Sequence, residues 1–159
     1  MELVPFYRRF PDLAAQETRS IFIFKRTELP PGQYGFLELF CDDPKCDCRR
    51  VVISVISPQR GPAPLATINY GWERVEFYAR WLGTWQGAAA CKGPSLDPLN
   101  PQTTYAEALL ALFKSALEDQ RYKERLERHY ALFKRTLPRA RQARPSTRGR
   151  VKKPRRLRK

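Results

Sequence analysis

Residues 35–57 read GFLELFCDDPKCDCRRVVISVIS, two apolar runs on either side of a turn rich in cysteine and aspartate. The runs at 35–41 and 51–57 are rich in β-branched and aromatic residues, a composition typical of strands. Pro44 and its aspartate neighbours interrupt the pattern, so the two runs can pair antiparallel. The sequence therefore predicts a β-hairpin whose turn, residues 41–48, carries three thiols.

Two more apolar runs, at 20–25 and 65–70, have the same strand composition. Turn-forming sequences separate the four runs: Pro-Pro-Gly at 30–32 follows the first, and Arg-Gly-Pro at 60–62 precedes the last. The connections are too short for the crossovers that a parallel sheet needs. We therefore predict an antiparallel β-meander of about four strands.

Beyond Tyr70 the apolar residues change to helical spacing. The first predicted helix covers 72–82 and ends at Gly83, and a loop follows over 87–102. Residues 104–107, Thr-Tyr-Ala-Glu, match a capping box for a second helix. After a break at 118–119, a third helix carries an inward stripe that includes either His129 or Tyr130. Strands first and helices second predict an α+β domain over residues 1–137, with three helices packed on one face of the sheet.

The size and hydrophobicity of the chain fit this single domain. It has 159 residues, of which 42% are hydrophobic, enough for one core and too few for two full domains. No apolar run approaches the ~20 residues of a membrane span, so none is predicted. The first ten residues contain charge and proline where a signal peptide has an apolar run, and we expect a cytoplasmic protein.

The C-terminal segment, residues 138–159, differs sharply from the body. Residues 139–159 contain 11 of the 30 Lys and Arg and none of the 16 Asp and Glu. With little apolar surface to bury, this tail is expected to be disordered. Arginine pairs with phosphate through two hydrogen bonds, which favours a nucleic acid as partner. RNA is favoured over DNA because no groove-reading motif is visible, while an anionic membrane surface or a merely solvated tail are the alternatives.

The predicted nucleic-acid contacts combine two arginines beside the cysteines with the cations of the tail. They are Arg49, Arg50, Arg139, Arg141, Arg144, Arg148, Arg150, Lys152, Lys153, Arg155, Arg156, Arg158 and Lys159. For Arg49 and Arg50, pairing with Asp42 and Asp43 is the alternative.

Four cysteines in a chain with no secretion signal are not expected to form disulfides. Cys41, Cys46 and Cys48 lie within eight residues, and thiolates so close together need a cation, for which structural Zn²⁺ is the first choice. Zinc takes four ligands, and we predict His129 as the fourth, with Cys91 as the alternative. A buried, hydrogen-bonded histidine and a cysteine packed as a small hydrophobe are the competing interpretations.

The segment Cys46-Asp47-Cys48 resembles the first half of the SEC-C zinc-binding motif, although Ser57-Pro58 stand where its second ligand pair would follow. Residues 41–50, together with 70–73, 97–102 and 129–130, are similar to small uncharacterised bacterial zinc-chelating proteins annotated near that motif. The likeness covers about residues 34–135. It implies a zinc-chelating module and carries no activity with it.

Catalytic motifs are missing from the sequence: it has no nucleophile elbow, phosphate-binding Gly-rich loop, dinucleotide fingerprint or metalloprotease helix. We therefore predict a non-enzymatic, zinc-stabilised protein that binds RNA or a ribonucleoprotein such as the ribosome. A protein-protein adaptor is the first alternative. A zinc hydrolase is the second, since three thiolates would leave one coordination position open but would weaken the Lewis acidity of the ion.

Overall fold

The computed structural model of the chain describes residues 2–138, so the predicted disorder of the tail concerns residues outside the described part. Six strands form one antiparallel sheet: β1 (Leu3–Pro5), β2 (Ser20–Ile23), β3 (Gly32–Cys41), β4 (Arg50–Ile56), β5 (Ala66–Gly71) and β6 (Gly93–Leu96). The helices are α1 (Phe6–Arg9), α2 (Pro11–Glu17), α3 (Val75–Leu82), α4 (Ala88–Cys91), α5 (Ala106–Ala116) and α6 (Gln120–Arg135), with a 3₁₀ turn at Pro58–Arg60. The predicted α+β class is confirmed.

The four-stranded meander is present as β2, β3, β4 and β5, each antiparallel to the next. Two edge strands extend it. β1 pairs with the C-terminal end of β3, on the edge whose other end pairs with β2, and β6 pairs with β5. Both edge strands contain a proline, Pro5 and Pro94, which cannot donate to a ladder and breaks the strand pattern in the sequence. The predicted loop over 87–102 was therefore wrong in part, since it contains α4 and β6.

The main core lies on the face of the sheet that carries Val51, Ile53 and Val55 of β4, under helices α5 and α6. The opposite face carries Val52, and beside it α3 and α4 form a smaller cluster of their own around Tyr78 and Cys91. Of the three predicted helices, α5 and α6 thus contribute to the main core and α3 to the second cluster. Within residues 2–138 no helix has the length and apolarity that crossing a bilayer requires.

The helix ends follow local chemistry at two of three predicted positions. Gly83 ends α3 with a φ of 71°, and Asp119 begins α6 by accepting a hydrogen bond from the Arg121 amide at 3.0 Å. The capping box at 104–107 is wrong, because α5 begins at Ala106 without a side-chain cap. The hydroxyl of Thr103 accepts from the Tyr105 amide at 3.2 Å and donates to the Leu65 carbonyl at 2.6 Å, which anchors this corner to the sheet instead.

Gly71, the last residue of β5, allows the second cluster to approach the sheet. A β-carbon at this position would lie 2.1 Å from the Cys91 carbonyl oxygen and 2.3 Å from the Tyr78 hydroxyl. Neither a backbone carbonyl nor a buried tyrosine can move away at low cost. The absence of a side chain at Gly71 therefore sets the position of α3 and α4.

We predict that Gly71→Ala lowers the free energy of unfolding by about 1–3 kcal/mol, because the added methyl overpacks this contact. Gly35→Ala is the matched control, since its β-carbon would meet nothing closer than 3.7 Å. Urea unfolding of both variants measures the difference. Equal stability of Gly71→Ala and Gly35→Ala would contradict the close packing of Cys91 and Tyr78 against Gly71.

Candidate metal centre

Three thiols converge where β3 ends and the chain turns toward β4. The Sγ atoms of Cys41, Cys46 and Cys48 all lie within 4.8 Å of one another. In a tetrahedral site with zinc–sulfur bonds of 2.3 Å, sulfur atoms are about 3.8 Å apart, so a small contraction would bring these three to bonding distance. The cluster can hold a metal ion.

Two aspartates shape the turn that gathers the thiols. The Asp43 carboxylate accepts from the Lys45 amide at 2.8 Å, and its carbonyl accepts from the Cys46 amide at 3.2 Å. Asp42 exchanges two hydrogen bonds with the backbone of Glu2. These carboxylates are therefore used in forming the turn and in fixing it to the N-terminal segment.

Helix α6 braces the turn from the side of the main core. The Lys134 ammonium donates to the carbonyls of Cys41 and Asp43 at 3.0 and 2.9 Å. The Tyr130 hydroxyl accepts from the Arg49 amide at 3.2 Å and donates to Asp47 at 3.3 Å. One helix thus holds both arms of the cysteine turn.

The Arg49 side chain pairs with acidic residues of the folded body. Its φ of 44° is left-handed, a conformation uncommon outside glycine, and it redirects the chain into β4. The guanidinium pairs with Asp47 and Glu73, each at 3.0 Å, and lies over the Phe77 ring. The predicted alternative partners Asp42 and Asp43 are thus not the ones used.

Arg50 points to the other side of the sheet, where its Nη1 lies 3.5 Å from the Cys91 sulfur and its guanidinium faces the Trp81 ring. Neither predicted partner, Asp42 or Asp43, pairs with it. The remaining predicted nucleic-acid contacts, Arg139 to Lys159, lie outside the described residues.

The thiols favour their protonated form as long as no cation joins them. Burial, followed by the neighbouring Cys48 and Cys41, raises the pKa of Cys46 to about 12. Burial and Cys41 also raise the pKa of Cys48, which Lys134 and Arg50 offset in part. A metal ion that binds here therefore displaces protons from the thiols. Its positive charge stabilises the thiolates more than Lys134 and Arg50 do.

The structure does not bring His129 to the thiols. The imidazole is fully buried, with Nδ1 2.7 Å from Glu38 Oε2 and Nε2 2.6 Å from Glu17 Oε2, and Phe6 stacks on its ring. Both ring nitrogens are thus held by carboxylates, which corrects its selection as the fourth ligand. The histidine faces the middle of β3, while the neighbouring Tyr130 faces the turn.

Cys91, the alternative ligand, lies outside the three-thiol group but lines one cavity together with Cys41 and Cys48. Its sulfur is the one that Arg50 contacts. The structure therefore places Cys91 in the cavity but not in the cluster.

Glu38 and Glu17 were not identified from the sequence. Glu38 offered a signal, since it is an acid inside the apolar run at 35–41, in phase with the buried Phe36 and Phe40. Burial raises the pKa of Glu38, and its contact with His129 offsets only part of that effect. Burial also opposes ionisation of Glu17, but hydrogen bonds to His129 and Arg128 outweigh it and lower its pKa.

The lowered pKa of Glu17 predicts a pH-dependent contribution to stability. The folded-state pKa lies below the ordinary 4.5, so this contribution is present above that pH and is lost as the pH falls through the folded-state value. We expect Glu17→Gln to lower the free energy of unfolding by about 1 kcal/mol near neutral pH. The difference in the free energy of unfolding between variant and wild type should disappear in acid, as measured by urea unfolding. Glu28→Gln, at an exposed position, is the control. A gap independent of pH would contradict this role.

The thiol cluster predicts which substitutions remove metal. After incubation with Zn²⁺, Cys48→Ser should bind much less metal than the wild type, while His129→Gln and Cys91→Ser should bind as much. Metal content by mass spectrometry, with circular dichroism to verify folding, tests all three. A folded His129→Gln variant without metal would reinstate the histidine as a ligand.

No protein-family model, curated protein or solved structure matches the chain. The chemistry of the site is therefore inferred from its own side chains.

Proposed function

We propose that this chain is a non-enzymatic, zinc-stabilised protein that binds RNA or a ribonucleoprotein such as the ribosome. The observation that carries the proposal is the separation of charge along the chain. Residues 139–159 hold 11 cations and no anion, whereas residues 1–138 hold 19 Lys and Arg against 16 Asp and Glu. In this proposal the folded body orients the protein and the tail supplies most of the affinity.

The chemistry of the tail supports a polyphosphate partner. Eight of its 11 cations are arginines, whose planar fork matches phosphate oxygens. Each phosphate that is neutralised releases a counterion, which makes binding strong at low salt and largely independent of base sequence. Single-stranded or irregular RNA suits such a segment better than a duplex, because bases and backbone can adapt to it.

The donor set of the cluster supports zinc as the metal and argues for a structural role. Thiolates are soft ligands that select Zn²⁺ over Mg²⁺ or Ca²⁺. Three of them give a divalent ion a net negative centre, which weakens its power to polarise a substrate. All four cysteines are free thiols, the state that a reducing cytoplasm maintains, and we place the function there.

A protein-protein adaptor is the second candidate, favoured by one feature of the surface. Phe22 and Phe24, at and just beyond the end of edge strand β2, are 56% and 87% exposed and stack with ring centroids 6.4 Å apart. Exposed aromatic pairs are common anchors at protein interfaces. In this alternative the tail is an auxiliary anchor.

The RNA proposal predicts a steep dependence of affinity on salt that belongs to the tail. We expect the full chain to bind single-stranded oligouridine with a log–log salt slope that falls by about 0.7 for each phosphate contact removed. A full-length variant with the eight tail arginines changed to glutamine should lose most of the affinity and most of the slope. The charge-conserving change of the same arginines to lysine is the matched control and should keep the slope. Fluorescence anisotropy at several salt concentrations measures both quantities.

Equal affinity of the glutamine variant and the wild type would defeat the proposal. Copurification from cells with and without nuclease then distinguishes the adaptor: a partner that survives nuclease treatment and is lost on Phe24→Ser favours a protein interface over RNA.

A further inference from the structure

A cavity lies on the face of the sheet opposite the main core, between β4 and the α3–α4 pair. It encloses about 360 Å³, within the range of small-molecule sites. Its lining includes Cys41 and Cys48 of the thiol cluster, Cys91 of α4 and Val52 of β4. None of the tail residues is needed to build it.

One cation in this cavity has no carboxylate partner within the described residues. Arg50 is half-buried, and no carboxylate oxygen of residues 2–138 lies within 4.0 Å of its guanidinium. Its contacts are the Cys91 sulfur and the Trp81 ring. A half-buried guanidinium has lost part of its hydration and gains most from an anion that restores those hydrogen bonds.

The one acid in the wall is already engaged. Asp97 is 6% exposed, and its two carboxylate oxygens accept from the Leu99 amide at 2.9 Å and from Asn100 Nδ2 at 2.6 Å. Both carboxylate oxygens are therefore engaged within the loop at residues 97–100, and neither is paired with Arg50. Gln102 fixes that loop to β5 through two hydrogen bonds with Thr67.

The rest of the cavity is mainly apolar. Leu99, held at the mouth by the fixed loop, is 90% exposed, and Val52 and Trp81 continue the apolar surface inward. An exposed leucine and an indole ring that line the same cavity offer contact to an apolar ligand. The cavity thus combines one cation with an apolar lining.

We propose that this cavity binds a small organic carboxylate, with the carboxylate on Arg50 and the apolar body between Trp81 and Val52. This inference is independent of RNA binding by the tail, because it depends only on residues of the folded body. The carboxylate would replace water at the guanidinium, and the ring or chain of the ligand would cover Leu99.

The test uses the full-length protein with 2-naphthoate as probe and 2-naphthylmethanol as its neutral counterpart, followed by backbone amide shifts in NMR titrations. We expect saturable shifts at Asn69, Trp81 and Asn100 with naphthoate, and at least tenfold weaker binding of the alcohol. Arg50→Gln should weaken naphthoate at least tenfold. Arg80→Gln, on the exposed side of α3, is the matched control and should leave it unchanged.

A second pair of variants keeps the test independent of the folding of Arg50→Gln. Leu99→Asp puts a negative charge at the mouth and should weaken naphthoate more than Leu99→Asn, which removes the same apolar contact without the charge. Shifts confined to tail amides, or equal affinity for the acid and the alcohol, would overturn the proposal. So would an Arg50→Gln variant that loses zinc but keeps its naphthoate affinity, since Arg50 would then only balance the thiolate charge.

Discussion

The position of the metal site depends on the contacts that one face of helix α6 makes along strand β3, from its middle to its C-terminal end. His129 engages Glu38 in the middle of the strand, and Lys134 engages the carbonyl of Cys41 at its end. Between them Tyr130 reaches the far arm of the cysteine turn. A buried polar group is tolerated only when it is hydrogen-bonded, so the Glu38–His129 contact fixes the axial position of α6. The brace on the thiols follows from that position.

Because of this arrangement, most of the stability of the fold does not depend on a metal ion in the cysteine turn. Residues such as Phe36, Ile53 and Phe113 are fully buried in a core far larger than the turn. The turn itself is formed by Asp43 and held by Lys134 of α6. Small zinc modules, in contrast, have little structure without the ion. Here a bound metal would tighten a turn whose ends are already fixed, a local effect added to a fold that the core supports.

The sequence predicted elements where local chemistry decides, and failed where distant partners decide. The strand runs, the helix end at Gly83 and the break at 118–119 depend on residues close in sequence, and the structure has them as expected. The capping box at 104–107 is wrong: α5 begins at Ala106 without a side-chain cap, and the corner before it is held by the Thr103 hydroxyl on the carbonyl of Leu65, 38 residues away. His129 failed as a ligand for a related reason. Helical periodicity left either His129 or Tyr130 as the inward residue, and the 100° between neighbours sends His129 to a buried acid and Tyr130 to the turn.

The consecutive arginines Arg49 and Arg50 show why residue type alone does not assign a function. Both follow the cysteines, and in sequence they form one basic pair. In the fold they diverge, since Arg49 adopts a left-handed backbone and is neutralised by Asp47 and Glu73, whereas Arg50 enters a cavity whose acid is already engaged. A charge that is paired within the fold contributes to structure, and a cation with no carboxylate partner among residues 2–138 is available to a ligand. By this criterion the binding capacity of the body lies at Arg50, on the face of the sheet away from the main core.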